Sequence, residues 1–398
     1  MAKQTVLSAP DLFRSFWIAG YESSTHINPQ GVRLDMIAGV EHDVRAAEDY
    51  RLLRQFNIST ARDAARWNRI DRGGTWYDFS SFAPMLEAAL STGVQVIWDL
   101  CHYGWPDDVE LLSPQFVDRF AKYSAAVARF VREHTDEVPF YSPVNEMNFM
   151  VWGIGEGLLF PFFKGRDNDI KRQLVRASIA CCEAVWSVDP RARITYPEPI
   201  IHVLPPRHRP DLAAAAEQYR QSQFEAWDMI AGYAQPELGG NPKYLDILGA
   251  NFYHSNQWEI EGSGRLRWED EPRDDRWKPL HEMLGELWTR YQRPLYIAET
   301  SHFGSGRARW IREIGQEVCR AWHAGTPLAG VCLYPILDRY DWMDHNHWHN
   351  SGLWDLVTDE TRLFRRIPNA EYAAAFLETQ ERVSSCPYPA NCSDKAAV

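Results

Sequence analysis

Two short stretches of this chain place a lone glutamate where chemistry is usually done. YSPVNEMNF (141–149) and PLYIAETSHFG (294–304) each read as a buried strand that ends on one carboxylate, Glu146 in the first and Glu299 in the second. The two lie 153 residues apart, so different strands must deliver them. A pair of carboxyl groups brought to one place can open an acetal. One protonates the departing oxygen, and the other attacks the anomeric carbon or activates a water. Such a pair needs a scaffold that lays several strand ends side by side.

The chain supplies one. Apolar runs of strand length begin at residues 16, 58, 95, 140, 194, 245, 294 and 328, at intervals of 34 to 54 residues. Each interval holds a strand, a helix and two loops. Several runs lack strict alternation, as parallel strands covered on both faces do. Between them, residues 41–56 set Val44, Ala47, Tyr50, Leu52 and Leu53 near a 3.6-residue period. Ser113 and Pro114 read as an N-cap and first helical position for a helix to about Arg132, and Gly93 and Gly325 as C-caps. Eight strand–helix alternations predict an α/β fold, a single (β/α)8 TIM barrel with extended loops over 1–383, followed by a flexible tail at 384–398. No Gly-x-Gly-x-x-Gly follows the first strand and no Walker loop is present, against a doubly wound nucleotide-binding sheet.

Active sites of such barrels sit at the carboxyl ends of the strands. That rule selects Glu22 or His26, Arg62, His102, Asn145 with Glu146, Glu198, Asn251 with Tyr253, Glu299, and Asp338 with Asp341. A charge in an apolar strand is costly unless paired, so an internal ion pair is the competing reading of each. So many converging on one face favours a site.

Composition narrows the partners. A formal net charge of −12 argues against nucleic acid, and no apolar run reaches the ~20 residues of a membrane span. The first 17 residues show no secretory signal, so the expectation is a reduced, cytoplasmic protein. Of seven cysteines, Cys101, Cys181, Cys182, Cys319 and Cys332 fall in apolar segments as small hydrophobes, while Cys386 and Cys392 in the polar tail either pair or stay free. Seventeen tryptophans are many, and those in polar loops either stack on sugars or anchor the loops. Oligomeric state has no signature here.

At this point the residues resemble a known family. Asn-Glu closing the fourth strand with a lone Glu closing the seventh is similar to the retaining glycosidases of clan A, most of all to family 1, the β-glucosidase-like enzymes. ARDAARWNRI (61–70) resembles that family's Arg-Phe-Ser-x-x-Trp-x-Arg-Ile strand and HYGWPDD (102–108) its His-Trp-Asp-Leu-Pro turn. NFY (251–253) resembles Asn-Tyr-Tyr, and YPILDRYDW (334–342) resembles Trp-Ser-Leu-Leu-Asp-Asn-Phe-Glu-Trp. The chain departs from the pattern in reading Asn-Glu-Met for Asn-Glu-Pro and Glu-Thr-Ser for Glu-Asn-Gly. His26 stands where the family has a sugar-binding Gln, Tyr334 where it has Trp, and Asp341 where it has Glu.

The resemblance implies a small glycoside or oligosaccharide substrate and a double displacement without metal or cofactor. Glu299 is then the nucleophile and Glu146 the acid/base, with carboxyls roughly 5–5.5 Å apart. Opposite tuning is expected: Glu299 ionised beside Arg62 and Tyr253, Glu146 protonated near neutral pH among apolar neighbours. Asn145 is assigned the sugar's 2-hydroxyl, with His102, His26, Asn251, Asp341 and Trp342 on other hydroxyls and Tyr334 and Trp348 as stacking faces. Three rivals remain. The same intermediate serves a transglycosidase, a decayed site leaves a sugar-binding barrel, and His345, His347 and His349 beside Asp341 or Asp344 have ligand types suited to a metal.

Overall fold

A computed structural model describes residues 12–262, 264–358 and 364–389. Eight parallel strands close into a barrel: β1 (Trp17–Gly20), β2 (Thr60–Ala64), β3 (Gln95–Asp99), β4 (Phe140–Ser142), β5 (Arg193–Pro199), β6 (Ile247–Asn251), β7 (Leu295–Thr300) and β8 (Leu328–Leu333). Each pairs with its neighbours in chain order, and β8 closes the ring on β1 through Trp17–Val331, Ile18–Cys332 and Ala19–Leu333. All eight arise from the eight apolar runs of the sequence. Crossover helices follow in turn: α1 (His42–Leu52), α2 (Ala83–Thr92), α3 (Pro114–His134), α4 (Asp167–Trp186), α5 (Glu225–Ala231), α6 (Leu280–Tyr291), α7 (Gly306–His323) and, after β8, α8 (Ala370–Ser384).

Strand parity sorts the side chains. Ile18, Ile97, Phe140, Ile247, Tyr296, Ala298, Cys332 and Tyr334 form a small cluster inside the barrel, with Phe13 packed on Phe140 and Tyr296. Their outward neighbours join the much larger core between strands and helices. Small residues make the interior fit: a Cβ on Gly20 would stand 2.2 Å from the Tyr334 ring. The filled interior leaves polar residues nearer the carboxyl ends of the strands, Arg62, Asp99 and Asn251 among them, to converge above it.

Several local expectations need correction. Val44 is 80% exposed, because the buried face of α1 joins the expected Tyr50 to His42, Ala46 and Asp49. Here polar residues sit inside: the His42 ring bridges Asp49 at 2.8 Å and Asp63 at 2.7 Å, and Arg366 holds Asp49 from the other side. Ser113 does precede α3 in extended backbone, but its hydroxyl donates to the Glu110 carbonyl rather than capping the helix. Cys319 is not a free core thiol; it forms a disulfide with Cys386. The reason is the packing of α8 on α7, made close by Gly315, where a Cβ would stand 2.3 Å from the Thr379 methyl. The chain past α8 is thereby tied down as far as Cys386, and Tyr388 packs on Trp322. Cys392 lies outside the described residues. Cys101, Cys181, Cys182 and Cys332 are free and buried. Among the described residues no helix is long and apolar enough to cross a membrane.

Candidate active site

Arg62 organises the carboxyl-terminal mouth of the barrel. It is fully buried, and its guanidinium uses its fork in three directions. Nε donates to Asp99 at 3.0 Å, Nη1 to Glu299 at 2.7 Å and Nη2 to the Asn145 side-chain oxygen at 2.6 Å. Asp99, on the neighbouring strand, balances the charge and also receives Nδ1 of His102 at 3.0 Å. That contact puts the proton of neutral His102 on Nδ1, so Nε2 accepts from the Asn145 amide at 3.0 Å. Asn145 is thus clamped on both sides.

Glu299 reaches the site through an irregularity in β7. Tyr296 and Ala298 point inward, so strict alternation would turn Glu299 outward. The register of β7 on β6 shifts between Ile297 and Glu299, pairing Glu299 with Asn251. A bulge of this kind re-aims a side chain. Thr300 instead faces α7, where its hydroxyl accepts from the Trp310 indole at 2.9 Å. The second oxygen of Glu299 accepts from the Tyr253 hydroxyl at 2.7 Å, so both oxygens are held by donors.

Glu146 sits in different surroundings. Its carboxyl accepts from Asn251 at 2.9 Å and from the Tyr103 hydroxyl. Burial, with the Glu299 charge second, pushes it up to about 8, against the pull of those two donors. Its backbone is left-handed (φ 46°), a conformation that costs a non-glycine residue roughly 1–3 kcal/mol and persists only where its surroundings impose it. Glu198 braces the two residues that follow. Its carboxylate accepts the backbone N–H of Met147 at 2.7 Å and of Asn148 at 3.0 Å, capping the short helix Met147–Gly155 that Glu146 opens. Burial pushes Glu198, too, up to about 8.

Of the residues selected from sequence, Arg62, His102, Asn145, Glu146, Asn251, Tyr253 and Glu299 form this one network. Tyr334 joins at its edge: its ring lies parallel to His102 and its hydroxyl accepts from the Ser23 backbone at 3.1 Å. His26 and Trp342 pack together 4.6 Å apart, and the Trp342 ring also contacts Tyr103. Burial pushes the His26 imidazole down to about 3. Asp341 and Trp348 are engaged elsewhere. Asp341 accepts the backbone N–H of Met343 and pairs with His349 at 2.8 Å, while Trp348 packs on Tyr340 and Phe364. His345 and His347 are exposed, and His345 packs on Tyr340.

Two members escaped the sequence reading. Asp99 is an inward strand residue three positions before His102, and its parity with Arg62 was the available signal. Tyr103, next to His102, had none. Its backbone is left-handed (φ 65°), and its hydroxyl donates to Glu146 and accepts from the Asn145 amide. Replacing Tyr103 with Phe removes one donor from Glu146, a charged-group hydrogen bond worth about 1.5–3 kcal/mol. The alkaline limb of any Glu146-dependent reaction should move up by roughly one to two pH units, read from a pH–rate profile.

Comparison with solved structures matches this barrel throughout. The β-glucosidase of Thermotoga maritima, a family 1 enzyme, superposes with a TM-score of 0.70 at 14% identity, over 92% of this chain and 97% of the other. The fold is that of the family 1 β-glucosidases. The β-glycosidase of Thermosphaera aggregans gives 0.69 at 17% identity, over 93% and 96%. Among curated sequences, the β-galactosidase of Sulfolobus acidocaldarius is 24% identical over 334 residues, 72% of this chain and 67% of its own. No family sequence model matches. The Thermotoga enzyme also has structures in complex with glucoimidazole, deoxynojirimycin and castanospermine.

Proposed function

We propose that the chain is a retaining β-glycosidase that cleaves a β-glycosidic bond by double displacement. The observation that carries this is the asymmetry of the carboxyl pair. Glu299 has donors on both oxygens and a buried arginine beside it, which suits a nucleophile held as an anion. Glu146 has its proton affinity raised towards neutral pH, which suits the acid that protonates the leaving oxygen and later takes a proton from water. The names of the similar proteins, β-glucosidase, β-glycosidase and β-galactosidase, point to the same bond type.

Free polar groups support a sugar as the ligand. Asn251 Oδ1, Trp342 Nε1 and both ring nitrogens of His26 are buried without a protein partner. Buried polar groups are rarely left so, and hydroxyls on a pyranose ring would satisfy them. Beside the helix that Glu146 opens lies a cleft of about 470 Å³, lined by Phe149, Trp152, Tyr219 and Trp258 among others. Its aromatic walls suit an aglycone, with Trp152 46% exposed for stacking.

A panel of nitrophenyl α- and β-glycosides tests the reading, with the first-formed anomer followed by proton NMR. Turnover of a β-glycoside that releases the β-anomer first supports it. Release of the α-anomer, or sugar binding without turnover, refutes it.

A further inference from the structure

Next to the proposed nucleophile, but outside its network, lies a second cluster that sugar chemistry leaves unused. His254 follows Tyr253 at the end of β6, His302 lies three residues past Glu299, and Glu269 comes from the loop 252–279. One ligating atom from each lies within 4.8 Å of the others, a grouping that no other His, Cys, Asp or Glu trio matches among the described residues.

The hydrogen bonds of His302 say what belongs there. Nδ1 meets the Phe303 carbonyl at 3.0 Å, and a carbonyl only accepts, so Nδ1 carries the ring's proton. Nε2 faces Glu269 Oε1, 3.0 Å away, a contact that either a proton on Nε2 or a cation bound in its place satisfies. A ring N–H fixed on a carbonyl, with the other nitrogen presented outward, is also how metal-bound histidines are oriented. The His254 ring lies 4.5 Å from that of His302, and its Nδ1 is buried with no partner. Space has been made for the His302 ring: a Cβ on Gly306 would stand 2.2 Å from its Nδ1. Trp268, Phe303 and Trp310 wall the cluster.

We infer that His254, Glu269 and His302 bind one divalent zinc-class ion, which clamps the loop 252–279 onto the end of β7. Two imidazoles and one carboxylate are a zinc donor set, with a fourth position for water. The ion has a positioning role, since the backbone it ties down leads directly into Tyr253 and Glu299. This departs from the metal-free expectation and from the loop at 345–349 as the place for a metal.

The test is independent of catalysis. Chelator-treated full-length protein is titrated with Zn²⁺ by calorimetry, alongside Glu269→Gln, His254→Ala and the control pair His345→Ala/His347→Ala. One equivalent should bind, with a rise in Tm. Glu269→Gln and His254→Ala should each weaken it by at least roughly 100-fold, the upper end of what losing an outer-sphere partner costs. The control pair should bind as the parent does. No stoichiometric uptake, uptake unaffected by both ligand variants, or uptake lost only in the control pair would each overturn the assignment. Glu269→Gln keeps the shape of its side chain, so a fold defect in His254→Ala leaves the outcome decidable.

Discussion

Glu299→Ala is expected to lower kcat by at least about 10⁴-fold on a β-glycoside that the parent hydrolyses, equivalent to roughly 5.5 kcal/mol of transition-state stabilisation. The size follows from what is lost. Without this carboxylate no covalent intermediate forms, and the reaction must run by direct attack of water past an arginine with one partner fewer. Azide is small enough to enter the space left behind. Added to Glu299→Ala with an activated nitrophenyl β-glycoside, it should restore release and yield the α-glycosyl azide, because a single displacement inverts. Recovery of the β-azide, or a variant that retains activity, would remove Glu299 from the nucleophile's role. The substitution also bears on stability. Arg62 would keep Asp99 but lose its contact with Glu299, and breaking a buried pair typically costs 3–5 kcal/mol. A fall in Tm should therefore accompany the loss of rate. Glu299→Gln, which keeps an oxygen near Arg62, should lose the rate with a smaller fall.

Why the carboxylates and most of their partners were legible while Asp99 and Tyr103 were not comes down to spacing. A barrel writes its strands into the sequence as apolar runs at regular intervals, and the rule that chemistry lies at their carboxyl ends needs no coordinates. Arg62, Asn145, Glu146, Asn251 and Glu299 were all selected on that ground. What the runs do not encode is backbone irregularity. Glu299 faces inward by a register shift that strict parity would miss, and Tyr103 lies past the end of β3 with a left-handed backbone, where parity says nothing. Loop contacts are less legible than strand ends. Asp341, in the aligned motif, and Trp348, a stacking face in the polar loop after it, contact His349, Tyr340 and Phe364 within the fold, a loop packing that spacing does not encode. The Cys319–Cys386 bond was hidden for a different reason: it joins α7 to the end of α8 across 67 residues, and only the packing of the two helices brings the sulfurs together.

Glu146→Gln carries the other large effect, and pH separates it from the nucleophile's. With the acid's pKa raised to about 8, kcat/KM of the parent should hold through neutral pH and decline above about 8 as Glu146 ionises. The glutamine variant should be slower by about 10²–10⁴-fold on substrates with poor leaving groups, and its alkaline limb should vanish. On a dinitrophenyl glycoside, which departs without a proton, formation of the intermediate should be nearly unimpaired. The slow step then becomes attack by water, which lacks its base, and KM should fall along with kcat. Stability should move the opposite way. A carboxyl whose folded value lies above its unfolded value of 4.5 helps the fold most below pH 4.5, and that help is lost as pH rises towards about 8. Above that range the parent must hold a buried anion beside Glu299, whereas the variant holds a neutral amide. Glu146→Gln should therefore unfold at a higher temperature than the parent at pH 8–9, with the gap closing towards pH 5. If the gap were flat across that range, the raised carboxyl would not be Glu146, and the acid would have to be sought elsewhere, with Glu198 as the next candidate to mutate.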